Sequence, residues 1–348
     1  IMSISSYILV GMKRKVAMAN EAALKYLLLG AFSTGFLLYG ISLLYGATGS
    51  TLLPTIISEI QQNGSGNPLV IVGMALVVVA MSFKIAIVPF HMWTPDVYTG
   101  APTPVTGFLS GAAKAAGFAV FIRVLMTGIP LEGANWENIL WLLAVLTMTV
   151  GNVMALRQNE VKRMLAYSSI AHAGYVLVAV VVGSTSAISG VIFYSCAYAL
   201  MGTGAFGILT IRDAGRIPRT FDDLAGYGKR NPTLALLMSL FVFSLVGLPL
   251  TGGFIGKFQI FSAALQEGWI WLTVIAILNS ALSVYYYLRV VMFMYMREGA
   301  LPVGSVVSNN TSGFAMTGLL VTALAVLYLG VFPDSILELA SLSILALL

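Results

Sequence analysis

The chain has 348 residues, of which 59% are hydrophobic and only 9% charged. Soluble domains carry about 25% charged residues, so this chain cannot dress a water-facing surface. That excludes a cytosolic enzyme, a nucleic-acid-binding protein and a disordered chain, and it points to one all-α, polytopic membrane domain over residues 1–348.

A bilayer is crossed by about 20 mostly apolar residues in a helix. In chain order, residues 1–12 are apolar but too short to cross. Full spans are predicted at 22–46, 69–93, 104–127, 138–156, 164–183, 187–211, 232–263, 268–296 and 313–332. Residues 335–348 form a last short apolar stretch. Ile1 stands inside an apolar run with no basic segment before it, which does not fit a cleavable signal peptide. A membrane protein rarely opens on half a helix, so further helices are expected upstream of residue 1.

Of the 18 Lys and Arg residues, twelve fall between alternate spans. They are Lys13, Arg14 and Lys15; Arg157, Lys162 and Arg163; Arg212, Arg216, Arg219, Lys229 and Arg230; and Arg297. The intervening connections (47–67, 128–137, 184–186, 264–267 and 333–338) contain neither Lys nor Arg. By the positive-inside rule the basic side is cytoplasmic. This one-sidedness explains the net charge of +5 without an acidic partner.

Lys25 and Arg123 are expected to snorkel from span ends, and Arg289 is intermediate. Lys84, Lys114 and Lys257 lie deep, whereas all 13 carboxylates fall in loops or at span ends. A charge at the bilayer centre costs about 2.5–3.5 kcal/mol on insertion scales, and such residues mark ion pathways. Lysine also changes protonation state readily when buried, which suits proton exchange. The structural alternative is pairing with a carbonyl or a neighbouring subunit.

Lys114 lies near a span's midplane among small residues, Ser110, Gly111, Ala112, Ala113, Ala115, Ala116 and Gly117, which permit close helix approach or leave room for water. Lys84 precedes Pro89, and proline kinks a helix and frees a carbonyl. His91, at the end of the same span, is either a relay or an interfacial histidine. Lys257 follows Gly247, Pro249, Gly252 and Gly253 in a 232–263 span too long to be one straight helix. A break near 247–253 is therefore expected. Discontinuous helices are where transporters place ion sites. His172 belongs to a polar group with Tyr167, Ser168, Ser169 and Tyr175, and residues 168 and 172 share one helix face. It is either a hydrated relay or an interhelical hydrogen-bonding residue.

Cys196 is the single cysteine, and His91 and His172 are 81 positions apart. Neither a disulfide, a metal site nor a redox centre is expected on the chain. The glycines at 202, 204 and 207 match a dinucleotide-binding pattern, but they follow an apolar span rather than a strand, so helix packing is expected.

Four stretches together resemble the antiporter-like membrane subunits of respiratory complex I, the proton-pumping NADH:quinone oxidoreductase. They are residues 84–93, 94–106 (TPDVYTGAPTPVT), 161–170 (VKRMLAYSSI) and 247–258. The resemblance implies a bundle with two inverted repeats, each containing a broken helix. Residues 1–127 would be the remainder of the first repeat, 138–296 the second and 297–348 a C-terminal helical region. It also implies that Lys84 and Lys257 are the lysines of the two broken helices and Lys114 the central one, acting in proton translocation with His172 and His91 as candidate relays. The family pairs the first of these lysines with a carboxylate on the preceding helix. Residues 1–11 hold none, so that acid is expected upstream.

On this resemblance the chain is a non-redox subunit in a bacterial inner membrane, within a hetero-oligomer with other membrane subunits, antiporter-like neighbours included. NADH, flavin, iron–sulfur clusters and quinone would sit on other subunits, with no cofactor, metal or nucleic acid on this one. A cation/proton antiporter component uncoupled from redox chemistry, or a structural scaffold, are the alternatives.

Overall fold

Lipid offers no hydrogen-bond partner to a peptide group, so an apolar chain satisfies its backbone internally by forming helices. The computed structural model describes residues 2–63, 66–128, 136–212, 220–298 and 312–345. Among them the only β-type contact is an isolated bridge between Glu160 and Thr220.

The helices are α1 (Met2–Val10), α2 (Ala17–Thr48), α3 (Leu53–Asn63), α4 (Pro68–Ile85), α5 (Trp93–Gly100), α6 (Thr103–Phe108), α7 (Lys114–Gly128), α8 (Trp136–Leu156), α9 (Val161–Val182), α10 (Thr185–Arg212), α11 (Tyr227–Arg230), α12 (Pro232–Val246), α13 (Gly252–Gln266), α14 (Ile270–Met296), α15 (Gly313–Val331) and α16 (Asp334–Leu345). A π-helical turn, Leu109–Ala113, joins α6 to α7. Eight helical segments among the described residues are long and apolar enough to cross a membrane. The ninth expected span, 232–263, is divided between α12 and α13, which accounts for its excess length.

The two breaks share one local geometry. At the end of α4, the Ile87 and Ala86 amides donate to the carbonyls of Ser82 and Phe83 at 2.9 and 3.2 Å. At the end of α12, Leu248 and Gly247 do the same to Phe243 and Ser244 at 3.1 and 3.0 Å. Both are Schellman caps, which place a residue in the left-handed region. Gly247 takes it at φ 90°, and Ala86 takes it at φ 64° despite its Cβ. Past the second break the chain folds back closely: a Cβ on Gly253 would lie 1.8 Å from the Ser244 carbonyl oxygen.

Helix α9 forms the centre, buried at every position from Met164 to Val181. Its small residues let α8 approach. A Cβ on Gly151 would lie 2.6 Å from the Ala171 amide nitrogen, and one on Gly174 would lie 2.5 Å from Met148 Cγ. Small residues serve this purpose in membranes, where apolarity alone does not drive helices together. Gly204 is likewise a packing residue: a Cβ there would meet the Phe241 ring at 2.4 Å.

Several sequence expectations change. The stretch 47–67 is not all loop, because α3 runs through it and buries Ile56 and Ile60. Its 11 residues are too short to register as a span. Helix α9 starts at Val161, so Lys162 and Arg163 are helical rather than loop residues. Helix α2 starts at Ala17, which puts Lys25 two turns in. Arg216 and Arg219 lie outside the described residues, as do most of the connection 128–137 and the end of the last stretch.

Candidate functional site

The π-helical turn ends at Ala113 and delivers Lys114 to the first position of α7. Gly111 in that turn lets α10 come close, since a Cβ there would stand 2.9 Å from Thr203 Oγ1. Lys114 is 3% exposed. Its Nζ donates to the Ser169 carbonyl on α9 at 2.7 Å. Beside it, Ser169, His172, Tyr194 and Tyr198 line a space of about 10 Å³, about the volume one water's centre needs.

One turn along α9 from Ser169, His172 bonds in two directions. Nδ1 meets the Tyr194 hydroxyl of α10, and Nε2 lies 2.9 Å from the Tyr287 hydroxyl of α14. Tyr287 also meets Ser168 Oγ. Ser168 and His172 therefore share one partner, as their common helix face requires. A neutral imidazole donates at one nitrogen and accepts at the other, so a hydroxyl on each side suits either tautomer.

Lys257, 5% exposed, reaches back across the second break. Its Nζ donates to the carbonyls of Leu245 and Val246 at 3.1 and 2.8 Å and to Ser280 Oγ at 3.0 Å. Those carbonyls belong to the last turn of α12, the negative end of its dipole. The ammonium also stands 4.9 Å from the centre of the Tyr175 ring. The Tyr175 hydroxyl accepts from Asn152 Nδ2 at 3.1 Å. Asn152 continues to Asn279 at 3.2 Å and accepts from the Tyr286 hydroxyl at 2.9 Å. The Tyr286 and Tyr287 rings lie 4.5 Å apart, which brings this group alongside the one around His172.

Lys84 ends α4 half-buried, and its Nζ donates to Ser3 Oγ of α1 at 3.0 Å. The stem passes Gly117, where a Cβ would lie 3.8 Å from Lys84 Cγ. A cavity of about 260 Å³ lies here, lined by Ser3, Tyr7, Ser33, Thr34, Lys84 and Gly117 among others. His91 lies in the first break, with Nδ1 buried and unpartnered. No hydrogen bond among the described residues joins its ring to a lysine. The structure thus groups Lys114, His172 and Lys257, sets Lys84 beside the Lys114 helix and places His91 within electrostatic reach of Lys114 but outside the hydrogen-bonded group.

Four ion pairs occur among the described residues, and none involves these three lysines. Lys25 pairs with Glu21 and Asp96, each at 2.8 Å. The other Asp96 oxygen pairs with Arg163 at 2.9 Å. Burial works against the Asp96 carboxylate, but its bonds to Lys25 and Arg163 outweigh that and hold its pKa below the usual value. Lys162, read from sequence as a loop cation, is 6% exposed and donates to the Ala101 carbonyl at 2.9 Å. Arg289 holds the α8–α9 connection through the Gln158 carbonyl and Asn159 Oδ1, at 3.0 and 3.2 Å. The sequence also passed over Asn152 and Asn279. An amide in mid-span is the signal that would have found them. No group of three or more metal-ligating residues occurs among the described residues.

A profile of the family described as NADH:quinone oxidoreductase/Mrp antiporter, transmembrane, matches residues 1–283. NADH-quinone oxidoreductase subunit N of Trichlorobacter lovleyi is 51% identical over 342 residues, covering 98% of this chain and 70% of that protein. The fold is similar to a chain of respiratory complex I from Thermus thermophilus with bound aureothin. There the TM-score is 0.81 and identity 37%, with 97% of this chain and 72% of that one covered. It is similar also to a chain of the membrane-bound sulfane sulfur reductase, an archaeal respiratory membrane complex, at TM-score 0.88 and 28% identity, covering 97% and 68%. Broken helices, a lysine-bearing helical bundle and identity running the length of the chain agree: the protein is a polytopic membrane member of the NADH:quinone oxidoreductase/Mrp antiporter family.

Proposed function

We propose that this chain is a proton-translocating membrane subunit of an NADH:quinone oxidoreductase and carries no redox centre of its own. The observation that carries this reading is the setting of Lys114 and Lys257. Both are buried, both are held by neutral oxygens, and between them lie His172 and the hydroxyls of Tyr194, Tyr287 and Ser168. An uncompensated charge at membrane depth costs about 2.5–3.5 kcal/mol. Groups held only by hydroxyls and carbonyls accept either protonation state of an amine without breaking an ion pair. Lys84 is the third site, beside its cavity.

In this reading α4–α5 and α12–α13 are the equivalent broken helices of two repeats, and their matching Schellman caps support that. The basic connections face the cytoplasm of a bacterium. NADH, flavin, iron–sulfur clusters and quinone belong to other subunits, whose chemistry drives the protons here, and antiporter-like membrane subunits are the neighbours. Labelling of single cysteines at positions 13 and 230 from one face and 59 from the other tests the orientation.

The function is tested in the intact complex in liposomes, by following acidification alongside NADH:quinone turnover. Lys114→Ala and Lys257→Ala should assemble and lose pumping. Normal pumping in both overturns the reading. Co-purification with redox subunits is expected, and purification without them would favour a free-standing cation/proton antiporter.

A further inference from the structure

Helix α5 has only eight residues, and backbone breaks flank it at 86–92 and at Ala101–Pro102. So short a helix is marginal by itself, and its placement depends on side chains. Trp93 Nε1 donates to the Phe83 carbonyl at 2.8 Å, tying the start of α5 to the end of α4 beside Lys84. Lys162 of α9 caps its far end through the Ala101 carbonyl at 2.9 Å. Between them, the two oxygens of Asp96 divide between Arg163 of α9, at 2.9 Å, and Lys25 of α2, at 2.8 Å. A cavity of about 480 Å³ opens beside this cluster, so water reaches it.

The placement of α5 matters because of what lies on either side of it. Lys84 is nine residues before Trp93, and Lys114 is thirteen after Ala101, at the start of α7. On α9, Arg163 stands six residues before Ser169, the carbonyl that holds Lys114. Thus one helix, α9, grips the α5–α7 stretch at Asp96, at Ala101 and at Lys114. The ion cluster is not built for stability. Its side chains are 31–44% exposed, and pairs of that kind contribute about 0–1 kcal/mol. A carboxylate held at both oxygens from two different helices instead fixes a position.

We propose that Asp96 is a positioning residue. Clamped by Arg163 and Lys25, it holds α5 against α9 and so sets Lys84 and Lys114 at the reach from the His172 group that proton transfer requires. This rests on the proton-translocating reading above.

The test uses the intact complex containing the full-length chain, reconstituted in liposomes, and reads protons moved per NADH oxidised. Lys114→Ala is the reference for that reading. Asp96→Asn removes the charge that joins the two helices: Arg163 loses its carboxylate, and Lys25 keeps only Glu21 of its own helix. The complex should assemble, and protons moved per NADH should fall by most of the share that Lys114→Ala removes. Asp96→Glu should restore more than half of the loss. A wild-type ratio in Asp96→Asn, with pumping lost in Lys114→Ala, overturns the proposal and leaves the proton-translocating reading standing. Normal pumping in both Lys114→Ala and Lys257→Ala overturns that reading itself. A smaller amount of complex with an unchanged ratio marks Asp96 as merely structural and also overturns the proposal. Should Asp96→Asn leave no complex, the ratio is read in Arg163→Gln, which removes one arm only; a wild-type ratio there has the same consequence.

Discussion

Ser168 and His172 meet on a single atom of another helix, the hydroxyl oxygen of Tyr287. The helical repeat puts the two on one face of α9, and α14 supplies the oxygen that joins them. The pair is thereby part of a hydrogen-bonded group, with Lys114 bonded to the same helix at Ser169.

Tyr287→Phe removes that oxygen and keeps the ring. Two buried groups then lose a partner, at about 1–3 kcal/mol for each left unsatisfied. The complex should melt at a lower temperature and pump more slowly. Thermal unfolding and acidification of liposomes measure the two effects. Unchanged pumping in Tyr287→Phe would remove this hydroxyl from the proton path.

The second break depends on Gly253. An added Cβ would overlap the Ser244 carbonyl at 1.8 Å and approach Met201 Sδ at 2.9 Å. Overpacking of a dense interior costs about 1–3 kcal/mol, and here the obstacle is backbone, which yields less than a side chain. Gly253→Ala should reduce the assembled complex recovered from membranes, whereas Gly313→Ala, where a Cβ would meet nothing within 4 Å, should not.

Much of this arrangement was legible in the sequence, and the misses follow a pattern. Lys114, Lys257 and a break near 247–253 announce themselves because charge and proline are expensive inside a membrane, and the excess length of 232–263 has no other resolution. His172 and Ser168 could be put on one face, but not given Tyr287, which lies 115 residues beyond His172. Lys162 and Arg163 were read as loop cations because hydropathy starts their helix three residues too late. Asp96 stands out in the sequence only as part of the stretch 94–106, since nothing local says that its partners are Lys25 and Arg163, 71 and 67 residues distant. Pairings between helices are set by packing, and one sequence records only what each helix can offer.

Asp96 also makes an acid-side prediction. Its partners hold its pKa below the ordinary carboxylate value in the folded chain. Such a group contributes stability that is present above the unfolded pKa, about 3.9, and is lost as pH falls through the lower folded value. The detergent-solubilised complex should therefore lose stability below about pH 4, and Asp96→Asn should lose less over the same interval. Melting temperatures at pH 5, 4 and 3 compare them, and parallel losses would contradict the sign of this shift.

The central claim is that Lys114 gives up and regains a proton in a site of neutral oxygens. Lys114→Arg tests it most directly, because a guanidinium can still bond the Ser169 carbonyl but keeps its proton. The measurement is the number of protons moved per NADH oxidised by the reconstituted complex, beside the Lys114→Ala variant. Both variants should assemble and fail to pump through this subunit, each losing a similar share of the ratio. A wild-type ratio in Lys114→Arg with a reduced one in Lys114→Ala would mean that only a fixed positive charge is needed, and would contradict the account.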